Sequence, residues 1–368
     1  MSKNKVHTTA PLISGCFFGI SGRRALHAVY FIFFYATLFA QSESAPGGMQ
    51  EAWPEQKLPC LLEKNNVVSL VVQLSPGNTV KPEDAPQRAM RIKDHYAPLN
   101  IWVIEGPAPA ISAVVRRLSG VVRAECAPVS MREEIIVPGH NLYLNRFDIS
   151  GSLFPGVDGS DIHVSVKEQR FDTTDVDLLG RIGYSPGAAP FRSDHASQMA
   201  TLVGGSGTSS RRARGGAPGV YLHSSGLSSF LPDPAERYER LEISVQNHSY
   251  GSDISHDYTL SAQAYDHSTR LRSSLLHVFS AGNEGMAKGG VGPYAVLSGF
   301  ANLTGGFKMA KNALVVAGVD STGRLWPFSS RGPSADGRIK PDIAAFGQGG
   351  TSESAALVSA AAALLGQE

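Results

Sequence analysis

IHVSV, at residues 162–166, opens the stretch of sequence that decides the fold class. Four further β-branched or aromatic runs follow it, namely GVYLH (219–223), EISVQN (242–247), LLHVFS (275–280) and NALVVAGV (312–319). Segments that are rich in small residues and helical in pattern separate these runs. Strands that alternate with helices are joined by right-handed crossovers into a mostly parallel sheet that helices cover on both faces. Residues 161–368 are therefore predicted to form a doubly wound α/β domain, with its ligand site where strands hand over to helices.

A small α+β unit is predicted upstream, over residues 64–130. Three strands and one helix account for it: VVSLVVQL (67–74), LNIWVIEG (99–106), the helix PAPAISAVVRRLSG (107–120) and VVRAECAPVS (121–130). The β-branched content indicates the strands, and Gly120 ends the helix. A polar join punctuated by Pro and Gly follows at residues 131–160.

The N-terminus has the pattern of an export signal. Basic residues precede the uncharged run ALHAVYFIFFYATLFA (25–40), which is shorter than the roughly 20 residues that a bilayer span needs. Ala40 is a small residue of the kind that precedes a cleavage point. We predict a signal peptide over residues 1–40 and a linker over residues 41–63, with a retained membrane anchor as the alternative. The protein would then be secreted or held in the cell envelope, without a stable membrane span after signal removal.

Charge and cysteine usage exclude several kinds of function. The chain has 33 Lys plus Arg and 32 Asp plus Glu, so its formal net charge of +1 gives no reason to expect a nucleic-acid partner. Its three cysteines are Cys16, Cys60 and Cys126, too few for a disulfide framework to hold the fold. Because no cysteine follows residue 126, the larger domain has neither a thiol nucleophile nor a cysteine-ligated zinc.

Two segments carry candidate chemistry at predicted strand-to-helix turns. GGTSESAALVSAAAALL (349–365) places Ser352 at the start of an Ala-rich helix, where the positive helix end lies nearby. The alternative for Ser352 is a helix N-cap, for which serine is a preferred residue. HVFSAGNEG (277–285) ends a strand and presents Asn283 on a Gly-flanked turn, where its amide can donate to an oxyanion. The alternative for Asn283 is a turn residue chosen for its tolerance of left-handed backbone.

A third segment completes the set. DHASQMATLVGG (194–205) brings His195 into a helix of small residues, and a lone histidine there would ordinarily be structural. The three segments occur together, however, in the order and setting that a serine hydrolase requires. This combination predicts Ser352 as nucleophile, His195 as general base and Asn283 as oxyanion donor.

These stretches resemble the subtilisin-like serine peptidases over roughly residues 160–368. The resemblance rests on GTS (350–352), on His195 followed by small residues, and on SAGNEG (280–285), which is unchanged from the family motif. Further similar stretches are GGAPG (215–219), SVQNHSYG (244–251), FSSRGP (328–333) and KPDIAAFG (340–347). The resemblance implies a serine endopeptidase that hydrolyses polypeptides through an acyl-enzyme. It requires no redox or nucleotide cofactor; calcium is common in the family, but no ligand is assigned here.

The resemblance also implies two binding roles. Ser249, Tyr250 and Gly251 would lie on an edge strand that pairs with an extended substrate, a mode in which backbone hydrogen bonds supply the affinity; an ordinary core strand is the alternative. Residues 64–130 resemble the inhibitory propeptide that precedes such peptidases and is cut off near residues 130–160. Otherwise this unit is an accessory domain.

The third catalytic residue departs from the family pattern. Where the family has an aspartate after the first strand, this chain has VSVKEQRFDTTDVDLLGR (164–181), and alignment of the strand places Glu168 there. A glutamate can also orient the imidazole, and Lys167 and Arg170 would favour its ionised form. Asp172 is the competing candidate.

Two other motifs differ, and two rival functions stay open. HASQ stands where the family has HGTH, and Ala356 stands where it has a proline. These changes keep open a catalytically impaired, subtilase-like protein that only binds peptides. GYSPG (183–187) would suggest an esterase with Ser185 as nucleophile, but Pro186 lacks the backbone N–H that the oxyanion needs there.

Overall fold

An antiparallel sheet of four strands forms the N-terminal part of the described chain, in the order β2-β3-β1-β4. Its elements are β1 Val67–Leu74, β2 Arg91–Tyr96, β3 Ile101–Pro107, α1 Ala108–Arg117 and β4 Val121–Cys126. The computed structural model describes residues 58–62, 66–84, 89–128, 130–133, 142–183, 188–289 and 294–367. The predicted signal peptide lies outside these residues. No helix among them is long and apolar enough to cross a membrane.

A disulfide joins the predicted linker to this sheet. Cys60, in the single turn Pro59–Leu61, is bonded to Cys126 at the end of β4, 66 residues away. The expectation that disulfides do not form the framework of the fold still describes the larger domain, but the N-terminal sheet has this one cross-link. Because the bond closes a long loop, it restricts the unfolded chain.

A parallel sheet of six strands forms the centre of the remaining chain, in the order β12-β11-β10-β8-β6-β7. The strands from β5 onward are β5 Arg132–Glu133, β6 His163–Glu168, β7 Tyr221–Gly226, β8 Ile243–His248, β9 Tyr250–Gly251, β10 Leu276–Ser280, β11 Leu314–Val319 and β12 Ile343–Phe346. The helices are α2 Phe147–Leu153, α3 Asp194–Gly204, α4 Ala235–Arg240, α5 Leu260–Leu271 and α6 Thr351–Gly366. This is the predicted mixed α/β fold.

Helices cover both faces of this sheet, as the alternation of side chains along a strand requires. In β10, Val278 packs with α3 and α6 on one face, whereas the next residue, Phe279, packs with α5 on the other. The N-terminal sheet lies over the α5 face and contributes Val71 and Ile101 to the same core. Glu125 accepts a hydrogen bond from Leu260 N (2.9 Å) at the start of α5, where a carboxylate favours the helix dipole.

The predicted join at residues 131–160 contains folded structure. Within it, β5 pairs with β9, and α2 packs its residue Phe147 against the α3–α6 core. Asn145 exchanges two hydrogen bonds of 2.9 Å with the backbone of Phe346 in β12. The join therefore covers an edge of the six-stranded sheet.

A buried polar chain lies between the sheet and α5. His248 on β8 and His277 on β10 are hydrogen-bonded through Nε2 and Nδ1 (3.1 Å). The other ring nitrogens contact the Tyr250 hydroxyl (3.0 Å) and the Ser268 hydroxyl (3.3 Å). Burial lowers the pKa of His277 to about 3 and holds the pKa of His248 well below its usual value. Both imidazoles are therefore neutral in the folded protein near neutral pH.

We predict that this histidine pair makes the fold sensitive to acid. In the unfolded chain both imidazoles titrate near pH 6.5, whereas His277 stays neutral in the fold down to about pH 3. Since the unfolded state binds more protons between these values, the free energy of unfolding falls as the pH drops through that window, by up to about 1.4 kcal/mol per pH unit for each imidazole. Urea unfolding from pH 7.5 to pH 4 should show a shallower pH dependence for the H248Q/H277Q double variant. The H95Q variant, which changes an exposed histidine, should keep the wild-type slope, and equal slopes in all three proteins would contradict the prediction.

Candidate active site

Ser352 lies in the first turn of α6, with its side chain buried. The N-cap of this helix is Gly350, so Ser352 does not occupy the capping position that was its alternative role. Its hydroxyl donates to the carbonyl oxygen of Ser249 (3.4 Å), and the Ser249 hydroxyl donates to the carbonyl oxygen of Ser352 (3.2 Å). The predicted nucleophile is thus directly beside the predicted substrate-binding segment.

His195 lies in the first turn of α3, which Ser193 caps by accepting a hydrogen bond from Ala196 N (3.2 Å). Its Nδ1 lies 2.6 Å from Oε2 of Glu168, the last residue of β6, and both side chains are buried. An ionised carboxylate can only accept, so Nδ1 carries the proton and Nε2 has the lone pair of a base.

Short side chains let helices α3 and α6 approach each other. Helices α3 and α6 pack against each other, and their contact surface is rich in alanine: Ala196, Ala200, Ala355, Ala356 and Ala360 are fully buried in one cluster. Larger side chains there would separate the helices, because close-packed interiors have no spare volume. The alanine that replaces the family's proline at position 356 belongs to this surface.

The carboxylate that is hydrogen-bonded to His195 belongs to Glu168, not to Asp172. Asp172 instead pairs with Arg192 (2.8 Å) in a partly exposed loop. The Asp172 backbone N–H donates to Ser197 Oγ (2.8 Å), which ties the loop to the N-terminal part of α3. Sequence alone left both residues as candidates, since the loop's path depends on this tertiary contact.

Lys167 does not act on Glu168 as the sequence suggested. Successive side chains of a strand point to opposite faces. The Lys167 ammonium accordingly lies on the other face of the sheet, 2.7 Å from Asp233 and 2.8 Å from the Leu231 carbonyl oxygen. The described neighbour of the second Glu168 oxygen is the amide of Asn247, whose Nδ2 donates to Oε1 at 3.5 Å.

Asn283 lies against the residue that precedes the nucleophile. Its Oδ1 accepts from both the backbone N–H and the hydroxyl of Thr351 (3.1 Å each), and that hydroxyl also accepts from Gly282 N (3.0 Å). Because the carboxamide oxygen is occupied in this way, the amide nitrogen is the group left to donate to an oxyanion. Gly350 makes this approach possible: a Cβ on it would stand 2.9 Å from Asn283 Nδ2.

The predicted substrate segment is already paired with the chain itself. In β9, Gly251 is the partner of Arg132 and Tyr250 is the partner of Glu133, in an antiparallel bridge with β5. The Tyr250 side chain is fully buried in the α5 core. The backbone of Tyr250 therefore lies on a strand edge that pairs with β5. Its side chain packs in the core, as in the alternative of an ordinary core strand.

Residues 156–368 match the family model described as the Subtilase family, peptidase S8. The chain belongs to the subtilase family. Membership implies a serine-type peptidase that acts on polypeptides, as the resemblance predicted.

Solved structures of similar fold include subtilisin-like proteases. The epidermin leader peptide processing serine protease EpiP from Staphylococcus aureus aligns with a TM-score of 0.56 at 15% identity, over 82% of this chain and 88% of its own. Fervidolysin from Fervidobacterium pennivorans, a keratinolytic enzyme related to subtilisin, aligns with a TM-score of 0.51 at 18% identity. That alignment covers 83% of this subtilase and 55% of fervidolysin. At these identities the likeness concerns the fold.

Glu353 is a neighbour of the predicted nucleophile, Ser352, and the sequence analysis did not single it out. Its carboxyl accepts a hydrogen bond from Gly349 N (2.5 Å), which ties the loop before α6 to the first turn of the helix. Burial raises the pKa of Glu353 to about 7. A carboxyl group with this pKa carries its full negative charge only above neutral pH, so it opposes a developing oxyanion less than an ordinary glutamate would.

Two further expectations concern a calcium site and the esterase string GYSPG. In the described part of this subtilase, no group of three or more His, Cys, Asp or Glu side chains is arranged to hold a metal ion. Calcium therefore remains without assigned ligands. Residues 184–187 of the esterase string, including Ser185, lie outside the described residues.

We predict that G350A removes most of the activity of this subtilase. The new Cβ would displace the Asn283 amide, and loss of one oxyanion donor costs about 10² to 10³ in kcat, a magnitude that itself comes from subtilisin. The matched control is G337A, since Gly337 also has a positive φ (+82°) but no atom within 4 Å of an added Cβ. Peptide hydrolysis under steady-state conditions should distinguish them, and equal losses of kcat would show that backbone strain, not Asn283, is responsible.

Proposed function

We propose that this subtilase is an exported serine endopeptidase that cleaves polypeptides through an acyl-enzyme on Ser352. The observation that carries the proposal is the 2.6 Å hydrogen bond between buried His195 and Glu168, at the start of the helix that packs on the helix of Ser352. A histidine held in this tautomer beside a serine is the arrangement that general-base activation of a hydroxyl requires.

The proposed reaction has two halves. His195 Nε2 takes the Ser352 proton as Oγ bonds to the substrate carbonyl carbon, and Glu168 stabilises the imidazolium. The amide of Asn283 and the backbone N–H of Ser352 hold the oxyanion. The imidazolium then gives its proton to the leaving amine as the C–N bond breaks. A water molecule repeats the sequence on the acyl-enzyme and releases the carboxylic acid. These steps need no redox or nucleotide cofactor.

Substrate would bind as an extended strand along Tyr250–Gly251. The β5–β9 bridge supports this mode, because β5 pairs with the same edge in antiparallel register. Ser249 directly precedes this segment, and its carbonyl oxygen contacts the Ser352 hydroxyl. The first bond cut would therefore lie in the chain itself, shortly after β5.

We further propose that the chain is made as a zymogen. The sheet formed by β1–β4 would act as the propeptide, which blocks the cleft through β5 until a cut shortly after β5 separates it. Contacts of this sheet with the start of α5, such as that of Glu125 with Leu260 N, support a docked inhibitory unit. Export rests on the predicted signal peptide at residues 1–40, and polypeptide substrates accord with the described activities of EpiP and fervidolysin.

Mass spectrometry of the purified chain, with fluorophosphonate labelling, tests the proposal. The wild type is expected to yield a fragment that begins shortly after residue 133 and to be labelled at Ser352. The S352A variant should be neither cut nor labelled, because it lacks the nucleophile. S354A is the matched control: Ser354 is in the same helical turn, but its hydroxyl donates to the Ala345 carbonyl oxygen (3.0 Å).

Other outcomes would overturn the assignment. A wild type that is neither cut nor labelled would be a peptide-binding protein, as the altered motifs allow. Labelling at Ser185 that survives in S352A would instead indicate the esterase.

Substitutions at the two candidate acids test the role of Glu168. E168Q keeps the shape of the side chain but removes its charge, and we expect kcat to fall by about 10⁴, as for the corresponding change in a serine protease triad. D172N breaks only the exposed pair with Arg192 and should leave kcat close to that of the wild type. Steady-state kinetics on a peptide substrate measure both; a larger loss in D172N would reassign the third catalytic residue.

A further inference from the structure

Asn247 joins three parts of the site through one buried carboxamide. It lies on β8, fully buried, on the face of the sheet that α6 covers. Its Oδ1 accepts from the Ser359 hydroxyl of α6 (3.1 Å). Its Nδ2 donates to the Ser249 hydroxyl (2.9 Å) and, at 3.5 Å, to Oε1 of Glu168.

These contacts determine which way the carboxamide points. Ser359 holds the oxygen on the α6 side, so the nitrogen faces the Glu168 carboxylate. Ser249, the second partner of that nitrogen, donates its own hydroxyl to the backbone carbonyl oxygen of Ser352. Asn247 and Ser249 therefore link the carboxylate that holds the base to the helix that carries the nucleophile.

Glutamate has a particular need for such a contact. Its side chain has one more rotatable bond than aspartate, so its carboxylate has more orientations available at the end of β6. Only an orientation with Oε2 towards His195 Nδ1 keeps the imidazole in the required tautomer. A donor on the opposite oxygen, Oε1, restricts the carboxylate to that orientation.

We propose that Asn247 is a positioning residue, which holds the Glu168 carboxylate in register with His195 and couples it to the Ser352 helix. The proposal rests on the proposed peptidase function. Asn247 contacts neither substrate nor reacting atoms; it acts through Glu168. It belongs to a hydrogen-bonded shell of the kind whose removal typically costs 10- to 100-fold in activity at metal sites, and we expect about the same loss here.

The neighbouring residue supplies a matched control. Gln246 is also a fully buried carboxamide on β8, but it faces the other side of the sheet, where its Nε2 donates to Ser165 Oγ (3.0 Å) and Asp233 Oδ2 (2.9 Å). N247A and Q246A each remove a buried amide that makes two side-chain hydrogen bonds as donor. Both should lower the free energy of unfolding, but only N247A should affect catalysis.

The experiment combines kinetics with a double-mutant cycle. N247A should lower kcat by about 10- to 100-fold with KM nearly unchanged, and it should slow fluorophosphonate labelling of Ser352 by a similar factor. In an E168A background the further loss from N247A should vanish, because no carboxylate is left to position, whereas any effect of Q246A should persist. If N247A does not fold, S359A removes the hydroxyl that orients the carboxamide and should show a smaller loss of kcat with the same dependence on Glu168.

The outcomes separate this inference from the proposed function. A wild type that is not labelled at Ser352 means that the peptidase function is wrong. An active wild type with N247A at full kcat, or with the same loss in the E168A background, means that Asn247 has only a structural role.

Discussion

One buried hydrogen bond, from His195 Nδ1 to the Glu168 carboxylate, fixes the geometry on which the rest of the site depends. Neither side chain is more than 2% exposed. An ionised carboxylate in such a place is costly unless its oxygens are satisfied. His195 serves one oxygen and the Asn247 amide faces the other. The protein must therefore supply a hydrogen-bond donor to each oxygen of Glu168. This requirement fixes β6, β8 and the start of α3 relative to one another.

The parallel sheet makes that arrangement possible by bringing strand ends and helix starts to one edge. Glu168 is the last residue of β6, and Asn283 follows the end of β10 by three residues. His195 and Ser352 occupy the first turns of α3 and α6. Residues at element ends point into the crevice beyond the sheet, where open α/β folds bind ligands. Small side chains complete the arrangement, because alanines between the helices and glycine at position 350 allow contacts that larger residues would prevent.

The sequence predicts those parts that depend on local pattern. Five of the six strands of the large sheet follow from their β-branched runs, and SAGNEG and GTS point to Asn283 and Ser352 as candidate site residues. Strands β2 and β12 escaped prediction because their local patterns are weak: β2, RIKDHY, has charged exposed positions, and β12 is four residues long. Other features depend on contacts between distant segments, which no local pattern specifies. They are the environment of the Lys167 ammonium, the partners of Asn247 and the Cys60–Cys126 bond.

Under the proposed function, the pairing of β5 with β9 solves a problem that a substrate-binding edge creates. An open strand edge invites pairing with any extended chain, so a protein that keeps one must cover it until it is needed. Here the cover is part of the same polypeptide, and a tethered segment has an effective concentration of the order of millimolar, which a free peptide rarely matches. Hydrolysis of the connecting chain removes this high effective concentration without altering any contact that β9 makes. Under the proposed function, the same backbone groups thus bind the inhibitory segment first and the substrate afterwards, and a single hydrolysed bond separates the two states.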